Sequence, residues 1–307
     1  MGTAYYNEID PYAAEWLRNL IAKKHIAPGY VDERDIRDVE IEDLRGFCQY
    51  HFFAGIGVWS HVLRQCGWPD ERPVVTASCP CQPFSVAGRG RGAEDERHLW
   101  PVLFKLLQAL RPRVADPRVE DPFVVVGEQV AGPAGLAWYD AVSADLEREG
   151  YAVGAVSLCA AGVGAPHVRQ RLYWMGHAGL PGGGGHPRAV SRPEAQVGGG
   201  RESTRGVADE LVPAGAALER LRRSADEGGA SSTVRSILSD FWRDAAWIPC
   251  SDGRQRPTEP GISSLAPGTP TRVGRLRAYG NSLCAPQAAA FVAVVMEELA
   301  DLEVPIE

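Results

Sequence analysis

The stretch "VVTASCPCQPFSVAG", residues 74–88, begins as an apolar, β-branched run and ends in a proline-interrupted loop. A short run of this kind bounded by prolines reads as a buried strand, so it predicts a strand over 74–80 that delivers Cys79, Pro80 and Cys81 to one edge of a sheet. The same rhythm repeats outward in both directions. "AYYNEI" reads as a strand, "DPYAAEWLRNLIAKK" as a helix with Asp10 as cap and Pro11 in its first turn, and "CQYHFFAG" as a strand followed by the helix "VWSHVLRQCG". Beyond the opening stretch come helix "HLWPVLFKLLQAL", strand "FVVVGEQV", helix "AGLAWYDAVSADLERE" and strands "AVGAVSLCA" and "RLYWMG". This alternation predicts an α/β fold, a doubly wound and mostly parallel sheet with helices on both faces. In such sheets ligands bind outside the carboxyl ends of the strands.

The rhythm stops after Gly176, where "GLPGGGGHPRAVSRPEAQVGGGRESTRG" is rich in Gly, Pro, Ser and Arg and predicts irregular structure. Residues 214–241 have room for a helix or two, and "YGNSLCAPQAAAFVAVVMEELADL" ends the chain as an amphipathic helix. The chain has 307 residues, 45% hydrophobic and 23% charged. That is the composition of a globular protein, and no apolar run approaches the roughly 18 residues of a membrane span. The first residues carry no basic-then-apolar signal, so an intracellular protein is expected. Seven cysteines at irregular spacing form no paired C-x-x-C knuckle, which speaks against a disulfide framework or a structural metal. The net charge is −7, but residues 166–277 hold 16 Arg against 11 acids, about +5, leaving about −12 elsewhere. One Arg-rich third in an acidic chain suits either a polyanion or a solvated surface.

Individual residues carry more. "FFAGIG" turns from a strand into a helix, so Gly55 and Gly57 would let a ligand approach the backbone at a helix N-terminus, although a glycine pair also makes an ordinary tight turn. Cys81 lies just past a strand, where a thiolate could be a nucleophile or a thiol could simply pack. Glu128 closes the apolar strand "FVVVGEQV", a setting that raises a carboxyl pKa and suits proton handling, or caps the next helix.

Together these residues resemble the DNA (cytosine-5) methyltransferase family. The resemblance rests on Pro80-Cys81-Gln82-Pro83-Phe84-Ser85, on Phe53-Ala54-Gly55-Ile56-Gly57, on Glu128-Gln129-Val130, on "PHVRQRLYWMG" at 166–176 and on Gly280-Asn281-Ser282. It implies a Rossmann-like class I methyltransferase sheet with S-adenosylmethionine as cofactor. Gln129 stands where the family usually has Asn, and His167 where it usually has Gln. In most members the glycine motif comes first and two further strands precede the catalytic cysteine, yet here only 24 residues separate Gly57 from Cys81. "NEIDPYAAEWL" looks like the family's second motif and "RDIRDV" like its third, so the resemblance implies a circular permutation, unless residues 1–45 are an unrelated extension. On this reading Glu8 takes the ribose hydroxyls, Ile9 packs on the adenine, and Asp35 and Ile36 meet its amino group and edge. Phe53, Gly55 and Gly57 line the methionine half, Pro80 also belongs to the cofactor site, and Asn281 and Ser282 close it.

The resemblance also implies the chemistry. Cys81 adds to carbon 6 of a flipped cytosine, Glu128 serves ring nitrogen 3, and Arg171 holds the carbonyl oxygen with Arg169 nearby. The loop from Pro83 to Arg97 closes over the base, and Cys79 is a bystander. Three segments follow: residues 1–176 as the catalytic and cofactor domain, 177–270 as the variable target-recognition region, and 271–307 as the last motif and helix. In the variable region "FWRDAAWIPCSDGRQRP" interleaves Trp242 and Trp247 with Arg243, Arg254 and Arg256, either for duplex contact or as a small core of its own. The expected partner is double-stranded DNA, for a cytoplasmic monomer in a bacterial or phage-infected cell, alone or with a restriction endonuclease encoded elsewhere. A transfer-RNA cytosine methyltransferase and a catalytically silent DNA-binding relative are the alternatives.

Overall fold

A computed structural model describes residues 3–80, 99–114, 123–165, 167–178, 246–249, 253, 255–258, 274 and 280–303. Seven strands form one sheet. They are β1 (Ala4–Asn7), β2 (Gly29–Asp32), β3 (Gln49–Phe52), β4 (Val74–Ala77), β5 (Phe123–Val130), β6 (Ala152–Cys159) and β7 (Gln170–Ala178). Their spatial order is β2-β1-β3-β4-β5-β7-β6; the first five are parallel and β7 is antiparallel to both β5 and β6. The helices are α1 (Pro11–Ala22), α2 (Val58–Gln65), α3 (Trp100–Val114), α4 (Pro133–Arg148) and α5 (Ala285–Glu303). A separate antiparallel hairpin joins β8 (Ala246–Pro249) to β9 (Gln255–Thr258).

Local chemistry accounts for most of these boundaries. Asp10 Oδ1 accepts from the Tyr12 and Ala13 amides while Pro11, which lacks the amide that a first turn leaves unpaired, starts α1. Strands β1, β3 and β4 are buried at every position because helices cover both faces of the parallel sheet. On one face α3 and α4 pack Trp100, Trp138 and Leu107 against Phe52, Val125 and Trp174. On the other, α2 and α5 pack Trp59, Val62 and Phe291 against Val124, Val126 and Tyr173. Leu17 of α1 joins Tyr6, Ile26 and Val31 beside them.

Some of the polar residues that thread this core are paired. His51 Nδ1 lies 2.8 Å from Thr76 Oγ1 and its Nε2 lies 3.3 Å from Gln49 Oε1. The Tyr6 ring stacks on the imidazole at 4.8 Å. Burial holds His51 neutral, with its pKa pushed down to about 3.

The sequence reading of every strand from β3 to β7 is found within a few residues. Strand β2, flanked by Pro28 and only four residues long, was not legible as a strand. The expected loop 83–97, residues 214–241, and Trp242, Arg243 and Arg254 lie outside the described residues. No helix among the described residues is long and apolar enough to cross a membrane.

Candidate active site

The glycine turn after β3 is held open from the N-terminal strand. Phe53 (φ +54°), Gly55 (φ +56°) and Gly57 (φ +82°) all occupy the left-handed region, a concentration that needs external support. The support comes from the end of β1, where Asn7 O accepts from the Ala54 amide at 3.0 Å and Glu8 Oε2 accepts from the Gly55 amide at 2.7 Å. Glu8 Oε1 accepts from the Asp10 amide at 2.8 Å. The carboxylate is thereby oriented by two backbone donors. At Gly57 an added Cβ would stand 2.9 Å from Leu17 Cδ2, whereas at Gly55 it would meet nothing within 4 Å. Gly57 is needed for packing against α1, and Gly55 faces open space at the N-terminus of α2.

That space is a cavity of about 490 Å³, within the range of nucleotide-sized ligand pockets. Glu8, Ile9, Asp35, Ile36, Phe53, Gly55, Pro80, Glu128, Arg169, Arg171 and Asn281 are among the residues that line it. Ile9 is 60% exposed, an apolar side chain offered to the cavity. Ile36 is almost wholly buried and belongs largely to the core. Asp35 pairs with Arg37 at 2.6 Å, which holds its carboxyl down at about 2. The backbone before it is anchored by Asn7 Nδ2, which donates to Arg34 O at 2.9 Å. Arg34 in turn bridges buried Asp32 and Asp43, and Tyr5 donates to Asp32 at 2.6 Å. Gly57 and Ser282, expected at the site from sequence, are not among the residues that line the cavity.

Strands β5 and β7 contribute Glu128, Gln129, Val130 and Arg171 to the lining. Their antiparallel register sets Val130 opposite Arg171 and Glu128 opposite Tyr173. Arg171 therefore reaches diagonally, and its Nε lies 2.7 Å from Glu128 Oε1. Burial raises the pKa of Glu128, against the opposing pull of Arg171 and Arg169. A carboxyl so placed is held closer to its protonated form than a free one, which suits it to sharing a proton. Arg169 donates through Nη2 to Ser282 O at 2.9 Å.

Cys81 itself lies outside the described residues, but the backbone leading to it does not. Gln129 Nε2 donates to Cys79 O at 3.3 Å, and Trp59 Nε1 donates to Ser78 Oγ at 3.1 Å. Cys79 is 5% exposed, and burial pushes its thiol far above the usual range, which keeps it protonated and a poor nucleophile. Asn7, Tyr12, Ser78 and Leu99 also line the cavity and were missed from sequence. Of these, Asn7 carried a signal: an amide at the end of an apolar strand, next to a carboxylate.

Comparison with known proteins shows the family. The family model described as C-5 cytosine-specific DNA methylase matches residues 2–180. Over 110 residues the chain is 30% identical to the type II methyltransferase M.AplI of Arthrospira platensis, covering 35% of this chain and spanning 28% of that relative's length. Among solved structures, the Dnmt2 methyltransferase of S. pombe is 13% identical with a TM-score of 0.40, over 96% of this chain and 98% of that one. A Spodoptera frugiperda DNMT2 variant is 16% identical with a TM-score of 0.36, over 57% and 42%. The family match spans more than half of the chain and takes in β1 through β7, the glycine turn and the Glu128–Arg171 pair, so the chain belongs to the C-5 cytosine-specific DNA methylase family.

Proposed function

We propose that the protein is a DNA cytosine-5 methyltransferase that uses S-adenosylmethionine and works on a cytosine flipped out of double-stranded DNA. The observation that carries this reading is the Glu128–Arg171 pair on the wall of the cavity into which the Glu8–Gly55 turn opens. S-adenosylmethionine, when bound, would supply a methyl group on a positively charged sulfur. The residues fit such a ligand. Gly55 leaves room at a helix N-terminus, and the Glu8 carboxylate, oriented by two backbone amides, is the kind of acceptor that ribose hydroxyls need. Exposed Ile9 suits an adenine face, and Asp35, held ionised, suits its amino group.

Cytosine carbon 5 is a weak nucleophile until a thiolate adds to carbon 6. Cys81 takes that role on the family resemblance, and the burial of Cys79 supports reading it as a bystander. Glu128 shares a proton with ring nitrogen 3, which lets electron density from the new bond collect at carbon 5. Arg171 steers the Glu128 carboxylate and holds the cytosine carbonyl oxygen. After methyl transfer, loss of the carbon 5 proton and departure of Cys81 restore the ring. Groups acting on both the face and the edge of one base require that it leave the stack.

Residues 1–45 serve as the family's second and third motifs, moved ahead of the first by circular permutation. The parallel order β2-β1-β3-β4 and the bond from Gly55 to Glu8 support this reading, since an unrelated extension has no reason to supply both. Residues 1–176 and 271–307 then form the catalytic unit and 177–270 the target-recognition region. The enzyme acts as a cytoplasmic monomer, alone or beside a restriction endonuclease encoded elsewhere.

The test is nucleoside mass spectrometry of duplex DNA and of transfer RNA, each incubated with the protein and S-adenosylmethionine, with Cys81→Ala as control. Five-methyldeoxycytidine that depends on Cys81 is the expected result. Product on transfer RNA alone would transfer the activity to RNA, and none on either would make the chain a silent relative.

A further inference from the structure

We propose that Arg169 is a positioning residue for the cofactor half of the cavity: it latches the turn at 280–282 to the start of β7. The proposal rests on the cofactor reading above and departs from the expectation that Arg169 serves the cytosine beside Arg171. Residues 169, 171 and 173 alternate onto the same face of the sheet, so both arginines approach Glu128. They are used differently. Arg171 pairs directly with the Glu128 carboxylate at 2.7 Å. Arg169 instead donates to Ser282 O at 2.9 Å and to Gly280 O at 3.5 Å, more than 100 residues away in sequence. It acts on Glu128 through its charge.

The main chain of Arg169 is tied to the same C-terminal element. Its carbonyl accepts from Gln287 Nε2 at 3.0 Å and from the Ala160 amide at 3.0 Å. Gln287 is fully buried on α5 and also donates to Leu158 O at 2.8 Å. One residue thus holds both the first turn of α5 and the turn that precedes it.

The arrangement is costly. Arg169 Nε is buried without a partner, and burial together with the neighbouring Arg171 lowers the pKa of the guanidinium. A hydrophobic residue would pack there more cheaply but could not hold two carbonyls. What the latch holds is informative, because Gly280 and Asn281 line the same cavity as Glu8 and Phe53. The guanidinium that feels Glu128 therefore also sets a wall of the cavity that Glu8 lines. Arg169 consequently governs cofactor affinity more than the chemical step.

The experiment uses the full chain with Arg169→Met and Arg169→Lys, and with Glu128→Gln for comparison. Isothermal titration of S-adenosylhomocysteine reads affinity, and hydrogen–deuterium exchange of the 280–284 amides in ligand-free protein reads the latch. Arg169→Met is expected to weaken affinity about tenfold, the scale of one or two lost charge-assisted hydrogen bonds, and to speed exchange at 280–284. Arg169→Lys should recover part of both, and Glu128→Gln should bind S-adenosylhomocysteine like the parent while losing turnover. Unchanged exchange at 280–284 in a folded Arg169→Met protein overturns the latch. Unchanged affinity with lost turnover returns Arg169 to the cytosine. If the parent itself binds no S-adenosylhomocysteine, the cofactor reading fails, and the exchange data still decide the latch.

Discussion

The Gly55 amide donates to Glu8 Oε2 at 2.7 Å, joining two residues 47 positions apart across the β1–β3 edge. This contact turns the N-terminal strand into part of the glycine turn. The carboxylate compensates a segment in which Phe53, Gly55 and Gly57 all hold left-handed conformations.

Replacing it should therefore affect both binding and stability. Glu8→Ala removes a charge-assisted bond worth about 1.5–3 kcal/mol and frees the turn. Affinity for S-adenosylhomocysteine is expected to fall at least tenfold in isothermal titration, with a lower melting temperature. Parent-like affinity would mean that residues 1–45 are not part of the cofactor site.

Glu128→Gln separates chemistry from binding. The amide keeps the size of the side chain but loses the proton-carrying carboxyl that burial tunes upward. Methyl transfer measured with tritiated cofactor is expected to drop about 10²- to 10⁴-fold, the usual contribution of a positioned acid or base. A loss below tenfold would remove Glu128 from proton transfer.

The two cysteines make a paired prediction. DNA carrying 5-fluorocytosine cannot lose fluorine as a cation, so a nucleophile that has added to carbon 6 stays attached after methyl transfer. A covalent complex on denaturing gels is expected with the parent and with Cys79→Ala, and not with Cys81→Ala. Adduct loss in Cys79→Ala alone would contradict the buried, protonated state of that thiol.

His51 predicts a pH dependence. Its folded pKa is held near 3 by burial, against an ordinary value of 6.5. Between those values the unfolded chain binds a proton that the native state refuses, so the stability it contributes is full above about 6.5 and is lost as pH falls toward 3. His51→Phe should lower the melting temperature at pH 7.5, because Thr76 and Gln49 lose a partner worth about 1–3 kcal/mol. The same variant should show a shallower decline between pH 6.5 and 4. Parallel melting curves across that range would mean that His51 titrates normally.

The sequence by itself determined the helices named here and every strand of the large sheet except β2. Asp10 and Pro11 define the N-terminus of α1 through bonds within three residues, and the apolar run of β5 needs no distant partner to be read as a buried strand. The family motifs likewise mark Glu128, Arg171 and Gly55 locally. Only the tertiary structure decided that β1 sits between β2 and β3, that Glu8 meets Gly55, and that Arg169 reaches Ser282 while Arg171 takes Glu128. Caps and periodicity arise within a few residues of chain, so sequence displays them. Strand order and the choice between two arginines spaced two apart arise from packing and register between segments tens to over a hundred residues distant, which no local pattern encodes.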